Sequence, residues 1–91
     1  MSNEVVDNTG RSRFELTEQG HTAFADYRRD GDRVVIPHVE APIPLRGQGT
    51  AGRLMAGALE LIRERGQKVV PVCGYAIAYM RRHPEYGDIL G

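Results

Sequence analysis

The segment Arg46-Gly47-Gln48-Gly49-Thr50-Ala51-Gly52 joins an extended apolar run to an amphipathic helical one, and this junction restricts the fold more than any other feature of the chain. Upstream, Arg33 to Glu40 is rich in Val and Ile and reads as a strand. Ala41-Pro42-Ile43-Pro44 then cannot be helical, because a residue before proline is pushed toward extended conformations. Downstream, from about Gly49 to Arg65, the apolar residues Ala51, Leu54, Met55, Ala58, Leu59 and Ile62 recur at helical spacing. Arg53, Glu60, Arg63 and Glu64 fall on the opposite side. A glycine turn entering a helix in this way aims several unencumbered main-chain N–H groups at one point beside a helix N-terminus, the arrangement that stabilises a phosphate oxyanion.

The remaining segments supply a small sheet. Phe14 and Leu16 alternate with Arg13, Glu15 and Thr17, as in a half-buried strand, and Gln19-Gly20 is a turn signal. His21 to Arg28 reads as a second strand, with Ala23, Ala25 and Tyr27 on one face and Phe24 on the other. Asp30-Gly31 predicts a two-residue hairpin into the strand Arg33 to Glu40, which completes an antiparallel meander of three. Pro37 lies within that third strand and lacks a ladder donor, so it implies an edge or a bulge. Gly66 stops the helix, and Lys68 to Cys73 reads as a fourth strand, apolar on both faces and hence central or covered. A helical crossover separates it from the third strand, so the two are expected to be parallel neighbours joined right-handedly. Tyr75 to Arg82 forms a short second helix, ended by His83-Pro84. The fold class is therefore α+β, a mixed sheet with two helices. Residues 1–11, polar and containing Gly10, read as a flexible N-terminus, and residues 12–91 as a single domain.

Bulk properties narrow the function. A chain of 91 residues buries roughly 60–65% of its unfolded surface, enough for one core, which excludes a separate substrate domain. Twelve Lys and Arg balance twelve Asp and Glu, and aromatic residues are few, so neither nucleic acid nor an anionic membrane is an expected partner. Neither a signal-peptide core nor an apolar run of spanning length is evident. The single Cys73 has no partner for an internal disulfide, which suits a reducing, cytoplasmic setting.

Gly47-x-Gly49-x-x-Gly52 formally matches the dinucleotide fingerprint. In that fold the turn follows the first strand of a βαβ unit and an acid lies about 20 residues on. Here the turn follows a third strand, and Gln67 to Cys73 contains no acid. The triphosphate loop also fails, for want of Gly-Lys-Ser/Thr. Glycines that serve only a sharp strand-to-helix connection are the remaining structural reading, although three in six residues exceed what one turn requires.

Arg46-Gly47-Gln48-Gly49-Thr50-Ala51 resembles the Arg/Gln-x-x-Gly-x-Gly/Ala signature of the GNAT acyl-CoA N-acyltransferases. The order of elements is similar to the core of that fold. The resemblance extends to His38-Val39-Glu40, Pro71-x-Cys73, Tyr79 and His83-Pro84-Glu85-Tyr86, which look like a compact GNAT-like subgroup of about this length, over roughly residues 12–88. It implies that the amides of Gln48 to Gly52, with Arg46 and Gly47, hold the pyrophosphate of coenzyme A. It also implies that the third and fourth strands splay to admit the pantetheine arm. Larger GNAT enzymes carry helices between their first strands that wall the acceptor site; Gln19-Gly20 replaces them here, which leaves that side open unless a second subunit or partner covers it.

An acceptor amine with a lysine-like pKa of about 10.4 must lose a proton before attack, at a cost of roughly 4–5 kcal/mol at pH 7, so a base is expected. Glu40 and His38 share a strand face and are the candidates, each also readable as an ordinary exposed or packed side chain. Tyr79 resembles the family's tyrosine that protonates the leaving thiolate, and Tyr75 lies one turn earlier on the same face. Cys73 ends a strand and precedes a helix, where it is open to two readings: a nucleophile activated by the helix N-terminus, or a small core residue. Direct transfer, with Cys73 lining the thioester end, is the expected route. The resulting expectation is an acetyl-CoA-dependent N-acetyltransferase for a small-molecule or protein amine, working as a monomer or weak homodimer. The alternative is a coenzyme A-binding module with little or no catalysis.

Overall fold

Alternating burial along the N-terminal half builds the sheet. The computed structural model describes residues 4–91, and four strands follow one another antiparallel: β1 (Val6–Asn8), β2 (Arg13–Glu18), β3 (His21–Asp30) and β4 (Arg33–Glu40). Phe14, Leu16, Ala23, Ala25 and Tyr27 are buried on one face, as the alternation predicts, while Phe24 turns to the other beneath the Arg13 guanidinium. The β2–β3 loop is Gln19-Gly20, with positive φ at both residues (52° and 76°), the backbone that matches strand twist in a two-residue hairpin. The β3–β4 loop lies one residue later than expected. Asp30 pairs with Arg33, so the loop is Gly31-Asp32, and only Gly31 needs a positive φ (64°). This placement spares Asp30 a left-handed conformation.

The reading of residues 1–11 as a flexible tail is corrected for its described part; residues 1–3 lie outside the described residues. Val6–Asn8 is a fifth strand, paired with Arg13–Glu15. Its anchor is Asp7, whose side chain is only 4% exposed and accepts hydrogen bonds from the Tyr27 hydroxyl (2.6 Å) and from Arg65 Nη1 (2.5 Å). Those partners lie 20 and 58 residues away, so local polarity gave no sign of them. Val5 also rests directly on Gly57 in the middle of the long helix, where a Cβ would collide with it.

That helix, α1 (Thr50–Glu64), lays Leu54, Met55, Ala58, Leu59 and Ile62 against the buried face of the sheet. Strand β5 (Lys68–Pro71) follows and pairs parallel with β4, from Arg33↔Lys68 to Ile36↔Pro71. It is an edge strand rather than a central one. Its apolar character comes from cover at that edge: Leu90 bridges Val69 in parallel, and the Gly91 N–H donates to the Val69 carbonyl at 2.8 Å. The second helix, α2 (Gly74–Arg82), buries Ala76 and Met80, and a 3₁₀ segment, Pro84–Ile89, carries Tyr86 and Ile89 back into the core. Among the described residues no helix is long and apolar enough to cross a membrane.

Pro37 marks the irregularity that its sequence position implied. Asp26 pairs with His38 and Arg28 with Val35, so Tyr27 alone opposes both Ile36 and Pro37, a bulge on β4. At the same level β5 leaves the sheet: the N–H groups of Val72 and Cys73 both turn to the Ile36 carbonyl, at 3.0 and 3.3 Å, and the β5 ladder ends at Pro71. Beyond that point Pro37–Glu40 has β3 alone as a strand partner.

The Val5–Gly57 contact makes a prediction opposite to helix propensity. Gly57→Ala, which would stabilise an isolated helix by about 1 kcal/mol, should lower the urea midpoint. Val5→Gly combined with Gly57→Ala should recover it. A higher midpoint for Gly57→Ala alone would show that the N-terminal segment does not pack there.

Candidate active site

Two prolines shape the approach to the glycine turn. Pro42 precedes and Pro44 sits within a single 3₁₀ turn, Ile43–Leu45, which corrects the expectation that this segment cannot be helical, and the buried Leu45 pins the loop to the core. The chain runs extended at Arg46 and then takes left-handed φ at Gly47 and Gly49, 78° at each. Gly49 immediately precedes α1 and offers no capping side chain. As a result the N–H groups of Gly47, Gly49, Thr50, Ala51 and Gly52 meet no acceptor among the described residues. The Gln48 N–H is the exception, turned back to the Leu45 carbonyl at 3.4 Å. The turn borders an open cleft of about 260 Å³, walled further by Ala41, Arg46 and Tyr75. Arg46 is exposed, with Nε donating to the Ala41 carbonyl at 3.0 Å.

A carboxylate from the sheet braces this turn. Glu18 Oε1 accepts from the buried Thr50 hydroxyl at 2.6 Å and from Arg53 Nη2 at 2.8 Å, and Oε2 accepts from Arg53 Nε at 2.8 Å. The Arg53 guanidinium and, secondarily, the Thr50 hydroxyl hold the Glu18 carboxyl down at about 2. The neighbouring Gln19 amide donates to Gln48 Oε1 at 2.9 Å, and Gln48 Nε2 donates to the Pro44 carbonyl at 2.7 Å.

On the other side of the turn stands α2. Cys73 is its N-cap, and Sγ accepts the Ala76 N–H at 3.4 Å. The residue therefore sits where β4 and β5 part. Tyr75 and Tyr79, with ring centroids 6.4 Å apart, both reach toward Gly52: a Cβ there would lie 3.8 Å from the Tyr75 hydroxyl and 3.9 Å from Tyr79 Cε2. Tyr79 stacks on His83 at 4.0 Å, and burial, reinforced by Tyr86, Tyr75 and Glu85, pushes its phenol up to about 12. His83 in turn pairs with Glu85 at 3.2 Å. The structure thus brings the glycine turn, Tyr75 and Tyr79 together.

Glu40 and His38 do not line the cleft. They pair with each other at 3.2 Å, half exposed, on the sheet face opposite α1, where they stand across from Phe24 and Asp26. Glu40 nevertheless directly precedes Ala41, a cleft wall.

The family model for GCN5-related N-acetyltransferases matches residues 13–89. The chain belongs to that family. A GCN5-like protein of Staphylococcus aureus, whose solution structure was determined by NMR, superposes with a TM-score of 0.74 at 26% identity. The superposition covers 100% of this chain and 91% of that one. Among curated proteins none matches this chain in sequence.

In this GNAT domain the glycine turn and the α2 tyrosines stand together, whereas the contact of Glu18 with the turn was not anticipated from the sequence. A signal was present. The first turn of α1 contains no acid, Gly49 is not a strong cap, and Arg53 brings a cation to the positive end of the helix dipole. Such a start calls for an anion from elsewhere in the fold.

The depressed Glu18 carboxyl sets a pH window. Because its folded value lies below the ordinary value of 4.5, its contribution to stability is full above about pH 4.5 and fades as pH falls toward about 2. The difference in Tm between the native chain and Glu18→Gln should be constant from pH 7 to about 5 and vanish near pH 2. A difference independent of pH would remove the charged contact from the account.

Proposed function

We propose that this GNAT domain is an acetyl-CoA-dependent N-acetyltransferase whose glycine turn holds the pyrophosphate of coenzyme A. The observation that carries the proposal is the set of five N–H groups, at Gly47 and Gly49 to Gly52, that meet no acceptor among the described residues at one helix start beside a cleft. The dipole of α1 adds about 0.3–1 kcal/mol for an anion, so direct N–H bonds and the Arg46 guanidinium supply most of the phosphate affinity. The parting of β4 and β5 beyond Ile36 and Pro71 supports a path for the pantetheine arm toward Cys73. Acetyl-CoA supplies, when bound, a thioester carbonyl open to attack by a neutral amine.

The chain's own groups then divide the work. Tyr79 keeps its proton at neutral pH and donates a hydrogen bond to the leaving sulfur. With its phenol near 12 and an ordinary thiol near about 8.5, outright proton transfer is the less favourable course. Cys73 Sγ caps α2, and the transfer proposed here goes directly from the thioester to the amine. The His38–Glu40 pair lies on the opposite sheet face, outside the cleft lining, so the proton that the amine releases passes to water at the open acceptor side. The two-residue β2–β3 loop leaves the acceptor side open, so small-molecule and protein amines both have access.

Calorimetry and thermal shift with coenzyme A, acetyl-CoA and NAD test the donor. The coenzyme A ligands should bind and NAD should not, with about 2.7 kcal/mol of stabilisation at a hundredfold excess over Kd. Gly49→Glu should abolish binding by bulk and like charge; unchanged affinity would refute the site. Transfer assays with polyamine, peptide and aminoglycoside acceptors separate an enzyme from a binding module. In a productive assay Cys73→Ser should keep measurable activity, and Tyr79→Phe should lose kcat on the order of 10²-fold. Complete loss in Cys73→Ser with a trapped acyl-enzyme in the native chain would overturn direct transfer.

A further inference from the structure

We infer that Glu18 is a positioning residue of the donor site, one that braces the first turn of α1 so that its N–H groups stay free and face the cleft. The inference rests on the donor reading above, but its evidence is separate. A carboxylate at a helix N-terminus ordinarily accepts from the free N–H groups themselves. Glu18 does not. Its two oxygens are taken by the Thr50 hydroxyl and by Nε and Nη2 of Arg53, at 2.6–2.8 Å. The helix therefore receives its compensating anion through side chains, and the main-chain donors remain for a ligand.

The geometry locks three segments at once. Glu18 closes β2, Thr50 is the first residue of α1 and fully buried, and Gln19, the next residue in the β2–β3 loop, reaches Gln48 inside the turn. The third guanidinium nitrogen, Arg53 Nη1, would lie 3.1 Å from a Cβ on Gly49, so the Arg53 fork also backs the left-handed residue of the turn. Pairing further cancels charge. An unpaired Glu18 carboxylate would repel a phosphate bound nearby, whereas the Glu18–Arg53 pair adds no net charge there.

Charge and position have opposite effects on binding. If Glu18 acted only through its charge, Glu18→Gln would remove a repulsive anion, free Arg53 and tighten coenzyme A binding. A positioning role requires the reverse. Calorimetric titration of the full chain with coenzyme A should show Kd raised about tenfold or more by Glu18→Gln, the scale on which a small misplacement of a binding constellation is felt. In steady state the KM for acetyl-CoA should rise with kcat changed less than about twofold. Thr50→Val, which removes one hydroxyl, should weaken binding in the same direction and serves if Glu18→Gln does not fold. Native-like or tighter binding in these variants, with the native chain binding normally, would overturn the role of Glu18 alone. Absence of binding by the native chain would overturn the donor reading and this inference with it.

Discussion

Five main-chain N–H groups that meet no acceptor among the described residues, at the start of α1, are the constraint around which the molecule is arranged. Unpaired donors are costly when buried and tolerable when they face a cleft. The chain meets that condition with unusual means. Two prolines limit the approach to one 3₁₀ turn, two left-handed glycines steer the main chain, and the capping position carries no side chain to consume the donors. Stability that other helices take from a cap comes here from the sheet, through Glu18 on Thr50 and Arg53.

The second organising feature is the bulge at Pro37. By placing Ile36 and Pro37 opposite one residue of β3, it ends the β4–β5 ladder where Val72 and Cys73 share one carbonyl. The fold thereby opens its sheet between the two strands that flank α1, and does so at the level of α2, with Cys73 fixed as the cap. The glycine turn, the strand parting and the tyrosine-bearing helix thus stand side by side in the fold. This explains how a domain this small accommodates a cleft.

Much of this was legible in the sequence because it is local. The alternation at Phe14, Leu16, Ala23, Ala25 and Tyr27, the stripe from Leu54 to Ile62, the Pro37 bulge and the glycine turn each follow from spacing or backbone chemistry within a few residues. The misses are tertiary. Val6–Asn8 is held by Asp7 to Tyr27 and Arg65, and β5 gains its cover from Leu90 and Gly91. Glu18 reads as an exposed strand end until α1 folds over it. Glu40 and His38 were expected to share a face and do, but that face lies away from the cleft lining, a fact that depends on where α1 packs.

The most direct test follows the donors themselves. In ¹⁵N-resolved NMR spectra of the full chain, titration with coenzyme A should move the amide signals of Gly47, Gly49, Thr50, Ala51 and Gly52 most, downfield as each gains a charged acceptor. Residues on the far edge, such as Val6 to Asn8, should move least. Binding that leaves those five signals in place while shifting others would contradict the assignment of the glycine turn as the phosphate site.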